Sequence, residues 1–293
     1  MTGGKLESRH EDDPGRRRAG GPGTLRRLRM RRKTGWIALT VILVLLVCSS
    51  AAYVGDYYHA DPAAAEALVS DSVVRVEKTG YGWYFDGPSE EKALIFYPGG
   101  KVEETAYAPL LHRLAEEGMD ACLVRVPLRL AFTAIGKADE VMSEYDYDEW
   151  YVGGHSLGGV AAAYYAAKNS DALEGIVLLG AYSTKKLSDR LKTVLIYGSE
   201  DGVLNRKAYE KNRENVARDA VEVVIEGGNH AQFGSYGVQK GDGRALITAE
   251  EQVEETVLAI EKAVQSIRET GKADEEPMRA LEEPMHALEK AAQ

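Results

Sequence analysis

Cysteine is nearly missing from this 293-residue chain: it has two, Cys48 and Cys122. Two cysteines cannot build a disulfide framework, and no Cys/His group shows metal-ligand spacing. No metal and no cofactor is expected on that basis. Positive charge is scarce beyond the N-terminus. Residues 1–34 carry 11 Lys/Arg against 4 Asp/Glu, whereas the rest carries 25 against 42. A basic arm ahead of an acidic body, followed by an uncharged span, is a signal of topology rather than of nucleic-acid binding. No nucleic-acid partner is expected.

Long apolar runs are also lacking, with one exception. From Gly35 to Gly55 there is no charge, and Trp36 through Cys48 is almost wholly apolar. About 20 such residues cross a hydrocarbon layer as a helix. The span predicts a single transmembrane helix over 35–55, with Trp36 and the tyrosines Tyr53, Tyr57 and Tyr58 at the two interfaces. The Arg/Lys cluster before it predicts a cytoplasmic, disordered arm over 1–34 and an extracytoplasmic body at the cell membrane. A cleaved signal peptide ending near Ser49-Ser50-Ala51 is the competing expectation, and a buried core helix is a third. Residues 56–72 read as a juxtamembrane spacer. The charged tail, 270–293, holds two heptads with a proline in each, which argues against a coiled coil.

Between spacer and tail, over 73–269, strand and helix signals alternate. Ala93–Tyr97 is a continuous apolar run, as in a central parallel strand. Ala121–Val124, Gly175–Leu179, Val194–Tyr197 and Val221–Ile225 repeat the pattern. Helical segments are expected over 107–117, 132–145, 160–168, 206–218 and 250–267. This alternation implies an α/β class with a mostly parallel central sheet flanked by helices.

One stretch dominates: Tyr151-Val152-Gly153-Gly154-His155-Ser156-Leu157-Gly158-Gly159. It contains Gly-x-Ser-x-Gly between a strand and an Ala-rich helix, the pattern of a nucleophile elbow. Gly154 and Gly158 leave the tight turn free of side chains, and Ser156 is lifted above the sheet edge. A serine needs a base to take its proton, and the base needs a carboxylate to fix its tautomer. Downstream, Glu200 and Asp201 follow the strand Val194–Tyr197, and His230 follows the strand Val221–Ile225. His10, His59 and His286 lie outside the domain core. His112 lies on a helix, and His155 is expected to shape the turn. Two backbone N–H groups must meet the developing oxyanion. Leu157 supplies one candidate, and the loop Pro98-Gly99-Gly100-Lys101 supplies Gly100 or Lys101.

These motifs, Tyr97-Pro98-Gly99-Gly100-Lys101-Val102, Gly153 to Gly159, Gly198-Ser199-Glu200-Asp201-Gly202 and Gly228-Asn229-His230-Ala231-Gln232-Phe233-Gly234, resemble those of the α/β-hydrolase superfamily. The resemblance is greatest to its fold-5 family, related to dienelactone hydrolases, and covers roughly residues 73–267 in this chain. It implies the α/β-hydrolase fold, with Ser156 as nucleophile, Asp201 rather than Glu200 as acid and His230 as base. Pro98 stands where many relatives have His. Residues 180–193 are too short for a cap domain, so the site is expected to be open and to favour short or polar esters. The expected function is a membrane-anchored serine hydrolase of carboxylesterase type, acting on a small-molecule ester through an acyl-enzyme. A thioesterase, peptidase or acyltransferase with the same triad, and a ligand-binding or scaffold domain without turnover, are the alternatives.

Overall fold

A computed structural model describes residues 36–50 and 55–265. The arm over 1–34 and the tail over 270–293 lie outside the described residues. The chain divides into two compact units, Met1–Gly55 and Asp56–Gln293.

In the first unit, residues 36–50 form helix α1. Its apolar side chains, from Trp36 to Val47, are exposed. No described helix is long and apolar enough to cross a membrane, which overturns the expected transmembrane helix over 35–55. The membrane-anchored placement, with cytoplasmic N-terminus and extracytoplasmic catalytic domain, rested on that helix and falls with it.

The second unit is built on an eight-stranded mixed sheet. Its strands are β1 (Arg75–Lys78), β2 (Gly82–Asp86), β3 (Lys92–Tyr97), β4 (Asp120–Val124), β5 (Glu149–His155), β6 (Gly175–Leu179), β7 (Lys192–Gly198) and β8 (Val221–Ile225), in the order β1-β2-β4-β3-β5-β6-β7-β8. From β4 to β8 every pairing is parallel, while β1 and β2 are antiparallel. The central strands are apolar throughout because both faces are covered. Leu94 and Phe96 of β3 point into one core with Leu110, Leu111 and Leu114 of α3 (Ala108–Glu116) and Val257 and Ile260 of α7 (residues 249–265). Ala93, Ile95 and Tyr97 point into the other, with Val141 of α4 (Lys137–Glu144) and Ala161, Ala162 and Tyr165 of α5 (Leu157–Ala166). The period-2 alternation of a strand thus feeds two separate cores.

Two helices are shorter than their patterns suggest. Residues 127–134 coil into 3-10 turns before Gly136, with Leu128 and Arg129 at positive φ, so α4 starts only at Lys137. After Asn205 caps it through Ala208 N–H, α6 (Arg206–Lys211) stops at Asn212. The Asn212 N–H and its side-chain amide both donate to Ala208 O, at 3.0 and 2.7 Å, and the chain then passes into a 3-10 turn over Arg213–Asn215. Between β6 and β7, residues 180–191 form loop and turn only.

Residues 56–61 pack on this unit as a short strap. Tyr58 N–H donates to Lys101 O at 2.8 Å, and Tyr58 O accepts from Glu103 N–H at 2.9 Å. Asp61 N–H reaches Ser235 O, and α2 (Pro62–Glu66) follows with Ala64 fully buried.

The elbow packs directly on β3. A Cβ at Gly158 would run into the carbonyl oxygens of Tyr97 and Pro98, and a clash with backbone cannot be relieved by a rotamer change. Gly158→Ala is therefore expected to cost about 1–3 kcal/mol. That corresponds to a Tm lower by about 3–10 °C in a domain of this size. Circular dichroism melting checks it, and an unchanged Tm would mean that α5 does not sit this close to β3.

Candidate active site

Ser156 ends β5 and opens α5. Its backbone is held at φ 52° and ψ −121°, a region that costs an L-residue about 1–3 kcal/mol. The surroundings enforce the conformation: Ser156 N–H donates to Leu179 O at 2.9 Å, and Ser156 O accepts the first helical bond from Val160. The strain leaves the Ser156 side chain at the carboxyl end of the sheet, where ligands bind in open α/β sheets.

His230 lies in the loop after β8 and is buried. Its Nδ1 faces Asp201 Oδ2 at 2.8 Å, and both side chains are almost fully enclosed. Asp201 sits just past β7. Its other oxygen, Oδ1, accepts from Val203 N–H at 2.9 Å and from Leu204 N–H at 2.7 Å. Asp201, not Glu200, is thus the carboxylate that meets the imidazole; Glu200 takes a bond from the Ser199 hydroxyl instead. A carboxylate oxygen accepts, so the His230 proton in this pair lies on Nδ1. Nε2 is left as the acceptor, buried and without a hydrogen-bond partner. Gly180, immediately after β6, makes room for the pair, since a Cβ there would stand 2.8 Å from His230 Nδ1.

The loop after β3 runs beside the start of α5. A Cβ on Gly100 would come within 2.9 Å of Leu157 Cδ2. The N–H groups of this loop have different fates. Gly99 N–H donates to the Tyr107 hydroxyl at 3.0 Å, and Lys101 N–H to Arg129 O at 3.1 Å. Among the described residues no acceptor meets Gly100 N–H. Leu157 N–H belongs to the first turn of α5 and has no intrahelical partner. Of the two loop candidates, Gly100 has the free donor.

The elements that hold these groups were not legible in the sequence. Asp242 reads there as one polar residue in a Gly-rich loop. Its carboxylate gathers Gly202 N–H (3.0 Å), His230 N–H (3.2 Å), Gly243 N–H and Ala231 N–H (both 2.8 Å), so it binds the Asp201 loop to the His230 loop. Gln252 of α7 is fully buried, accepts from Asn229 N–H and donates to Asn229 O, fixing the residue before His230. Only the Asp242-Gly243 pair carries a turn signal of its own.

Cys122 is buried in β4, and burial pushes its thiol up to about 12, which leaves it unreactive. Asp71, His112 and Glu116 bring three ligand-type atoms within 4.8 Å of one another. There His112 Nδ1 bonds Ala67 O at 2.8 Å and Nε2 faces Asp71 Oδ2 at 3.1 Å, as an ion pair would. The backbone N–H groups of Val74 and Val73, then His112, hold the Asp71 carboxyl down at about 2.

The profile of the alpha/beta hydrolase family matches residues 93–254, more than half of the chain. The chain belongs to the alpha/beta hydrolase family. Hydrolysis is therefore its reaction class, as the resemblance implied. No curated protein matches the sequence. Among solved structures, a bacterial membrane phospholipase A aligns at 12% identity over 84% of this chain and 97% of its own, with TM-score 0.50. Est1E from Butyrivibrio proteoclasticus aligns at 13% over 66% and 100%, with TM-score 0.46. A CIB-like hydrolase from Thermoplasma acidophilum aligns at 14% over 63% and 96%, with TM-score 0.47. At such identities the likeness is one of fold.

Asp242→Ala removes the acceptor shared by four backbone N–H groups. Leaving partly buried donors without an acceptor costs about 1 kcal/mol, and amide exchange at Ala231 is expected to accelerate, with that at Gly202, which is exposed, following. Asp242→Asn keeps one acceptor oxygen and should fall between. Unchanged exchange at both amides in the Ala variant would show that Asp242 does not couple the two loops.

Proposed function

We propose that the protein is a serine hydrolase of carboxylic esters, with Ser156 as nucleophile, His230 as general base and Asp201 as the acid that orients it. The observation that carries this reading is the buried Asp201–His230 pair, with its free Nε2, in the same site as a serine held in a strained elbow. Gly100 and Leu157 supply the oxyanion donors; Lys101 N–H is engaged by Arg129 and is not needed for this role.

The chemistry runs in two halves. Ser156 Oγ attacks the ester carbonyl carbon while its proton passes to His230 Nε2. The carbonyl oxygen becomes an oxyanion held by two N–H groups. Collapse breaks the C–O bond to the alcohol, which leaves with the His230 proton, and an acyl group stays on Ser156. Water then attacks the acyl carbon, gives its proton to His230, and the acid departs as Ser156 Oγ takes that proton back. Asp201 stabilises the imidazolium and keeps its proton on the correct nitrogen.

The loop over 180–191 leaves no cap above this site, which supports esters with short acyl chains. A methylene gains about 0.8 kcal/mol only where walls bury it.

The test is turnover of p-nitrophenyl acetate. Ser156→Ala is expected to lower kcat by about 10⁴-fold or more. Asp201→Asn should cost far more than Glu200→Gln, because an amide at 201 favours the wrong tautomer. Full activity in Ser156→Ala would remove the nucleophile, and the reverse ranking of the two acid variants, both folded, would move the acid to Glu200.

A further inference from the structure

His155 precedes the serine and faces inward, fully buried. Its ring lies against that of His230, with centroids 4.3 Å apart and planes tilted by 50°. Its Nδ1 is 2.8 Å from the hydroxyl of Tyr107, itself fully buried. The same hydroxyl accepts Gly99 N–H at 3.0 Å. These bonds form a chain with one direction. The Gly99 amide can only donate, so the Tyr107 oxygen accepts from it, and among the described residues the one acceptor that meets the Tyr107 proton is His155 Nδ1. Burial raises the Tyr107 phenol well above its usual value and keeps that proton in place. His155 is thereby fixed as the neutral tautomer with its proton on Nε2. Burial, and then the charge of His230, hold its pKa well below the ordinary imidazole value, against a smaller upward pull from the His230 backbone.

Neither residue is placed to take a proton from Ser156. Both are placed to hold things apart at fixed distance. Gly99 has no side chain where a Cβ would stand 2.6 Å from the Tyr107 hydroxyl oxygen and 3.1 Å from His155 Nδ1. Close backbone approach is what the pair requires of the loop. Tyr107 is also tied to the far side of the site, because Ser235 N–H, in the His230 loop, donates to Ala106 O at 2.7 Å. The loop carrying Gly100 and the loop carrying His230 therefore meet through Tyr107 and His155.

We propose that Tyr107 and His155 are positioning residues for acyl transfer. They hold Gly100 N–H and the His230 imidazole in mutual register, and His155 stays neutral beside His230 when the latter takes its proton. The proposal rests on the serine-hydrolase reading above. A misplacement of about 1 Å costs up to ~100-fold in rate, and donors to the oxyanion act in the transition state, so the loss belongs in kcat.

The experiment compares wild type with Tyr107→Phe, His155→Leu and His155→Asn, each checked for folding by circular dichroism. It measures kcat and KM on p-nitrophenyl acetate, and amide exchange at Gly99. Tyr107→Phe and His155→Leu are expected to lower kcat by about tenfold to a hundredfold with KM little changed, and to speed exchange at Gly99. His155→Asn keeps an acceptor near the Nδ1 position and should recover about tenfold over His155→Leu. A folded Tyr107→Phe with unchanged kcat overturns the proposal, as does a His155→Asn no better than His155→Leu. Failure of the underlying reading looks different. Wild type would then be inactive, or Ser156→Ala would match it, and the exchange rates alone decide: faster exchange in Tyr107→Phe upholds the hold on the loop, and unaltered exchange removes it.

Discussion

The hydrogen bond between Asp201 and His230 is the constraint on which the rest of the site depends. A carboxylate shut away from water needs both of its oxygens hydrogen-bonded, or its desolvation cost goes unanswered. Asp201 meets that demand with Val203 and Leu204 N–H on one oxygen and His230 on the other. Satisfying it draws the loop after β7 and the loop after β8 together, and Asp242 joins them again through four backbone donors. The residue before His230 is clasped by Gln252 from α7. The imidazole is thus held from several directions, and its remaining nitrogen has one orientation.

On the other side of the site the backbone is strained rather than hydrogen-bonded into comfort. Among the described residues Ser156, at φ 52°, is one of four non-glycine residues at positive φ, and the others are Lys101, Leu128 and Arg129. Lys101 and Arg129 meet directly through Lys101 N–H and Arg129 O. Strain of this kind persists only where the surrounding structure over-determines it. Here that structure is the contact of α5 with the end of β3, and the strap at Tyr58 that pairs with Lys101 and Glu103. The sheet and its two cores supply the rigidity, and the loops at its carboxyl edge supply the chemistry.

The parallel strands were legible because a strand buried on both faces must be apolar throughout, as Ala93–Tyr97 and Gly175–Leu179 are. The elbow was legible because its turn demands small neighbours at fixed spacing, and His230 because its position after the last strand follows from chain order. What failed to show did so for physical reasons. The uncharged run over 35–55 has the composition of a membrane span, but no described helix is long and apolar enough to cross a membrane. The passage of α6 into a 3-10 turn at Arg213–Asn215 follows a cap at Asn212 that no periodicity records. Asp242, Gln252 and Tyr107 act through contacts with segments far away in the chain, and no local pattern announces them. His155 was expected to shape the turn; the elbow also sets its ring against that of His230.

The central claim is that Ser156 is a nucleophile activated by the imidazole of His230. The most direct measurement is covalent trapping with a fluorophosphonate, followed by peptide mass mapping of the adduct. The account predicts one phosphonyl group per chain, on Ser156, formed at least about a hundredfold more slowly when His230 is replaced by Gln, since the base activates the serine. An adduct on another residue, or a rate untouched by the loss of His230, would contradict it.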